Sequence, residues 1–179
     1  FITIKEIADD VGSDVLRFYM LYRKNDTQMD FDISKVKLQT KDNPIFYIQY
    51  AYARSMSVLN MANSTFSNIK SIKLNLKYNV FNNYISTFEW EIINQILFWP
   101  QLVENIVATE EPHKIIYYLE NLASLFHIFW NQGKDDKNLR FIDEQNIHKT
   151  TARIYWIGTM QIVFRCAFEI LGIKLVDRM

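Results

Sequence analysis

Tyr47, Tyr50 and Arg54 are the residues with the most chemistry to offer, spaced i, i+3 and i+7. At about 100° per residue on an α-helix, this spacing puts two phenol rings and a guanidinium on one face. A planar ring stacks on a nucleobase and a guanidinium holds a phosphate, so the face has the chemistry of single-stranded nucleic-acid binding. The local composition agrees. Positions 43–88 contain no Asp or Glu, while Arg54, Lys70, Lys73 and Lys77 accompany Tyr47, Tyr50, Tyr52, Tyr78 and Tyr84. Phosphate contacts dominate nucleic-acid affinity, and an acid-free basic and aromatic window suits them. A plainer reading stands beside this one, in which Tyr47 and Tyr50 pack against a neighbouring helix and Arg54 caps a carbonyl.

Other chemistries find no support. His113, His127 and His148 lack a second ligand at metal spacing and read as surface or packing histidines. Cys166, the one cysteine, sits among Val163, Phe164, Ala167 and Phe168 and reads as a buried structural thiol. The 4 glycines are scattered, so no Gly-rich loop can cradle a phosphate.

Helices must position the Tyr–Tyr–Arg face. Thr3 to Glu6 reads as a capping box for a short helix that Gly12 stops, and Ser13 is expected to cap the next. Asp32 caps a short helix to about Gln39. Asn43 and Pro44 start a long helix to about Phe66. On that helix Ile45, Ile48, Tyr52, Met56 and Leu59 form a core stripe, opposite Asn43, Tyr47, Tyr50, Arg54, Ser57 and Met61. A helix over 83–99 follows, which Pro100 kinks or ends. Glu110-Glu111-Pro112 starts another, to about Asn131, with a packing seam of Ile115, Leu119, Leu122, Phe126 and Phe129. Phe126 lies on that seam, which favours burial, while Trp130 near the helix end is expected to be partly exposed. A loop covers 133–148, and a final helix runs from about Thr150 to Leu171, with Gly172 as its C-cap.

The chain has 179 residues, with 20 Lys+Arg balancing 20 Asp+Glu, which bounds it to about one domain. At 49% hydrophobic it can fill a core, and 4 Gly with 3 Pro provide few tight turns for a small all-β protein. An all-α helical bundle is the expectation. No apolar run is expected to approach a membrane span, and no signal peptide is visible at Phe1, so the expected compartment is cytoplasmic. A start on Phe suggests a piece of something longer.

Read in order, the motifs resemble the C-terminal part of arginyl-tRNA synthetase, a class Ia aminoacyl-tRNA synthetase. Val11-Gly12-Ser13-Asp14-Val15-Leu16-Arg17-Phe18 resembles the V-G-x-D-x-x-R-F that follows the family's KMSK loop, and Asp26 to Asp32 resembles its D-x-x-x-D-F-D. Asp42 to Arg54 reads D-N-P-I-F-Y-I-Q-Y-A-Y-A-R, close to the family's D-N-P-x-F-Y-x-Q-Y-A-H-A-R, with Tyr52 in place of His. Glu111-Pro112-His113, Tyr118-Leu119, Leu122-Ala123, Phe126-His127, Leu171-Gly172-Ile173 and the closing Arg178-Met179 continue the similarity. Agreement is weak over 64–83 and 133–148.

The resemblance implies residues 1–41 as the tail of the catalytic and stem-contact region, and 42–179 as the α-helical anticodon-binding domain. It implies tRNA(Arg) as partner, together with the missing catalytic domain of the same chain, in a monomer with no membrane contact. The family ligates arginine to its tRNA using ATP with Mg. Its H-x-G-H and KMSK motifs are absent from this sequence, so no cofactor and no catalytic residue is expected here, and the segment alone is expected to be inactive. Position by position, the family's anticodon contacts fall on Tyr47, Tyr50, Arg54, Phe126, Trp130 and Met179. Asp30 and Asp32 read as caps or loop staples. Two alternatives stay open: the helical domain of another class I synthetase, and a helical protein-interaction module.

Overall fold

Helix starts follow side-chain caps along most of the chain. The computed structural model describes residues 3–28, 31–67, 69, 81–177 and 179, and among these it is all-α, as expected. Lys70, Lys73, Lys77, Tyr78 and Asp30 lie outside the described residues. Helix α1 (Ile4–Val11) begins on the predicted capping box, with Thr3 and Glu6 each accepting a backbone N–H. Gly12, at φ 89, ends α1 and also heads α2 (Ser13–Leu21), so Ser13 lies inside that helix and does not cap it. Asp32 accepts from the N–H groups of Ser34 and Lys35 and heads α3 (Ile33–Val36), which stops short of Gln39. Asn43 caps α4 (Pro44–Thr65), with Pro44 in the first turn.

Pro100 marks a helix boundary, as expected, and it also opens the next helix. A capping box of Ser86 and Glu89 starts α5 (Thr87–Leu97), and Pro100 sits in the first turn of a further helix, α6 (Trp99–Thr109). A first-turn proline sacrifices no intrahelical bond, so here it opens a helix after the bend at Phe98. Glu110, in left-handed conformation at φ 54, ends α6. Glu111 therefore precedes α7 (His113–Asp135) and pairs with Lys114 at 2.6 Å. Helix α7 runs past Asn131 and includes Gly133. A Cβ on Gly133 would meet the Leu139 carbonyl at 3.0 Å, because the 3₁₀ turn Lys137–Leu139 folds back onto the helix end. Helix α8 (Ile147–Leu171) starts a turn earlier than Thr150, on Asn146, and closes on Gly172 at φ 66.

Helix α4 packs on α7 and α8, α5 packs on the same two, and α6 packs on α7. The whole predicted seam of α7 is buried, as are Ile45, Ile48 and Tyr52, with Met56 and Leu59 half-buried beside them. Each fully buried Leu, Ile or Phe contributes roughly 1.5–3 kcal/mol, so this seam dominates stability. Tyr52, the departure from the family pattern, faces Phe164 edge-on at 6.2 Å in the core. Phe18 of α2 joins the same core, so the N-terminal helices dock on the bundle. Asn43 is buried and donates to the Val36 and Leu38 carbonyls at 2.7 Å each, which removes it from the exposed stripe.

Helix α8 is long and apolar enough to cross a membrane by length and composition, contrary to the expectation, yet half of that stretch is buried in the bundle. It is the core helix, with Trp156, Ile157, Met160, Phe164 and Phe168 all buried. Cys166 on the same helix is only half-buried. His113 and His127 pack inside, whereas His148 is exposed.

One ion pair sits wholly inside. The Glu89 carboxylate accepts from Arg153 Nε at 2.9 Å, from Trp156 Nε1 at 3.3 Å and from the Ser86 hydroxyl at 2.8 Å. Arg153 also donates to the Arg140 carbonyl and, at 2.9 Å, to that of Asn138. The pair thus ties the 136–146 connection to α5 and α8 and sets Phe141 beneath the end of α7.

Candidate nucleic-acid interface

The exposed side of α4 and the last turns of α7 meet around Arg54. Successive turns of α4 present Tyr47, Tyr50 and Arg54, all half-buried, while α7 supplies His127 and Trp130. The Arg54 guanidinium carbon lies 4.0 Å from the Tyr50 ring centre and 4.8 Å from that of Trp130. Its Nη2 donates to the Tyr50 hydroxyl at 2.5 Å and its Nη1 approaches His127 Nδ1 at 3.3 Å. The His127 ring packs on Tyr47 and Tyr50, with centroids at 4.5 and 5.6 Å, and its Nε2 lies 3.2 Å from the Tyr47 carbonyl. Burial, and then the Arg54 charge, hold its pKa down at about 4 against the opposing pull of that carbonyl, so the ring is neutral at pH 7.

Arg54 makes no ion pair with a carboxylate of the described residues. A cation against two aromatic rings, with no counter-charge among the described residues, attracts an anionic ligand. Among the described residues no group of three or more His, Cys, Asp or Glu gathers as for a metal.

Of the six residues expected to bind, Tyr47, Tyr50, Arg54 and Trp130 come together. Met179 joins their edge: with Gln39, Phe46 and Tyr50 it lines a cavity of about 370 Å³. Phe126 is fully buried and offers no face to a ligand. It packs under Trp130 at 6.3 Å and against Phe141 at 5.3 Å, so it is a floor for the surface, and the seam position predicts this burial. The plainer reading was right that Tyr47 and Tyr50 meet a neighbouring helix, but Arg54 caps no carbonyl among the described residues. Sequence reasoning missed Phe46, stacked on Tyr50 at 5.8 Å, although it sits inside the quoted D-N-P motif. It also missed a second, apolar cavity of about 410 Å³ that Trp130 lines together with Met61, Lys134 and Phe141.

Residues 48–179 match the DALR anticodon binding domain. The chain belongs to this family. The Tyr50–Arg54–Trp130 surface, Met179 and the bundle beyond the first turn of α4 lie within the matched span. The chain is 38% identical over its full length to the arginine–tRNA ligase of Xanthobacter autotrophicus and 40% identical to that of Methylobacterium nodulans. It spans 30% of the length of each and matches their C-terminal part. In three dimensions it superposes over its whole length on 36% of an arginyl-tRNA synthetase structure described from Campylobacter jejuni, with TM-score 0.79 and 26% identity. The Thermus thermophilus arginyl-tRNA synthetase shares the fold, with TM-score 0.69 at 19% identity over 28% of that chain. The chain thus matches the DALR-bearing, C-terminal part of arginine–tRNA ligases.

Proposed function

We propose that this DALR domain binds the anticodon loop of tRNA(Arg) as part of a longer arginyl-tRNA synthetase chain. The supporting observation is Arg54, a guanidinium against the Tyr50 and Trp130 rings that makes no ion pair among the described residues. Unstacked bases settle on Tyr and Trp faces while Arg54 holds the backbone. Each stacked base contributes ~1–3 kcal/mol, energy that the full enzyme uses to place the acceptor end in a distant active site. Residues 1–41 are the tail of the catalytic and stem-contact region and 42–179 the binding domain. The full enzyme ligates arginine to its tRNA with ATP and Mg in the cytoplasm, as a monomer. This segment makes no arginyl-adenylate on its own.

A fluorescence-anisotropy titration of the 179-residue chain with arginine tRNA and an anticodon-substituted copy, at two salt concentrations, tests the reading. The expected result is tighter, salt-sensitive binding to the true anticodon. Binding to neither RNA, at either salt, overturns it in favour of a protein-interaction module.

A further inference from the structure

The Tyr50 and Trp130 rings lie 4.0 and 4.8 Å from the Arg54 guanidinium carbon, but ring contacts do not set which way its N–H groups face; hydrogen bonds must do that. The Tyr50 hydroxyl takes Nη2, and the partner of Nη1 is His127 Nδ1. A guanidinium only donates, so Nδ1 must carry a lone pair, and the single proton of the neutral ring must sit on Nε2. There it is held by the Tyr47 carbonyl at 3.2 Å. The backbone of α4 therefore selects the tautomer of a histidine on α7, and that histidine accepts from a side chain two turns further along α4. No other protein acceptor bonds Arg54 among the described residues, so its remaining N–H groups are left for a ligand.

We propose that His127 is a positioning residue for RNA binding: in its Nε2–H form it aims Arg54 at the phosphate or base oxygen it will hold. The inference rests on the anticodon-binding reading above. His127 is itself buried, so it acts through Arg54 and touches no RNA. The groups that face it are Arg54, Tyr47 and Tyr50 of α4.

A double-mutant cycle tests this, with the 179-residue chain and fluorescent arginine tRNA. His127→Phe keeps a ring in the packed site and removes both nitrogens. It is expected to weaken binding about fivefold, Arg54→Ala about tenfold, and the double variant no more than Arg54→Ala alone. His127→Asn, whose Oδ1 takes the place of Nδ1, recovers most of the lost affinity. A ¹⁵N spectrum of the RNA-free chain should show the ring proton on Nε2; the opposite tautomer overturns the proposal whether or not the variants fold. Equal losses from His127→Phe with and without Arg54 mean that His127 only packs α7 on α4, and only the present inference falls. No loss from Arg54→Ala removes the RNA-binding reading and this inference together.

Discussion

Two arginines of this bundle are both clasped by aromatic rings and put to opposite uses. Arg153 lies 5.4 Å from the Phe129 ring centre, is 1% exposed, and spends its donors on Glu89 and two backbone carbonyls. Arg54 lies between Tyr50 and Trp130, half-exposed, with no carboxylate partner among the described residues. A buried charge must be paired, because desolvation is otherwise too costly. A charge at the rim need not be, because water solvates it until a ligand arrives. Arg153 is thus consumed by the fold, and Arg54 is held ready by it. The two are linked, since the carbonyls that Arg153 grips belong to the connection that carries Phe141 against Trp130 at 5.8 Å.

The largest expected effect breaks the closed arginine. Glu89→Ala leaves Arg153 charged and unpaired in the core and strips α5 of its capping box, so a loss of ~3–5 kcal/mol is expected in urea unfolding. Arg54→Ala, in contrast, should leave the urea midpoint within ~0.5 kcal/mol of the parent while weakening tRNA binding. Similar unfolding losses at both sites would abolish the distinction.

Next comes Trp130→Ala, which removes the ring on one side of Arg54. A loss of ~1–3 kcal/mol in tRNA affinity is expected, the amount one stacked base contributes. Tyr50→Ala should behave alike with helix content unchanged. If circular dichroism instead reports melting for Tyr50→Ala while the folded fraction binds normally, Tyr50 belongs to the core and the open site shrinks to Trp130.

The open site was more legible in the sequence than the closed one, for a physical reason. Tyr47, Tyr50 and Arg54 share one helix, where angular spacing alone predicts their common face. Glu89 and Arg153 are separated by 64 positions on different helices, and no local period relates them. Helix ends were legible where a side chain caps them, at Thr3, Asp32 and Asn43, or where a glycine turns left-handed, at Gly172. They were not where tertiary packing decides, as at Gly133, which looks like a helix stop yet is needed for close approach of the Leu139 turn. Pro100 was legible as a boundary, but a proline that ends one helix and a proline that opens the next look alike in one dimension. His127 was read as a packing histidine, and it is one. Its second task depends on where Arg54 of another helix lies.

Acid should act on the hinge between the two helices of the open site. The folded-state pKa of His127 is depressed to about 4 from an unfolded value of 6.5, so below 6.5 the unfolded chain takes up the proton that the folded chain refuses. The stabilisation is intact above 6.5 and is lost as pH falls towards about 4. Urea midpoints measured down that window should fall more steeply for the parent than for His127→Asn, which has no proton to gain. Glu120, whose carboxyl is raised by burial, contributes with the opposite sign in both proteins, so the difference between them isolates His127. Parallel curves would mean that water already reaches the ring.

The smallest expected effect marks the outer limit of the comparison. Lys37 and Asp10 form a 2.6 Å ion pair between the C-cap of α3 and α1, shorter than any contact Arg153 makes with Glu89, yet their side chains are 50% and 45% exposed. Distance alone would rank this pair above Arg153–Glu89. Exposure ranks it below, because water screens the attraction and two flexible side chains lose freedom in forming it. Lys37→Ala should therefore change the urea midpoint by no more than ~0.5 kcal/mol, and by less at high salt. A loss approaching that of Glu89→Ala would mean that contact distance, and not desolvation, separates the arginine the fold consumes from the arginine it keeps available.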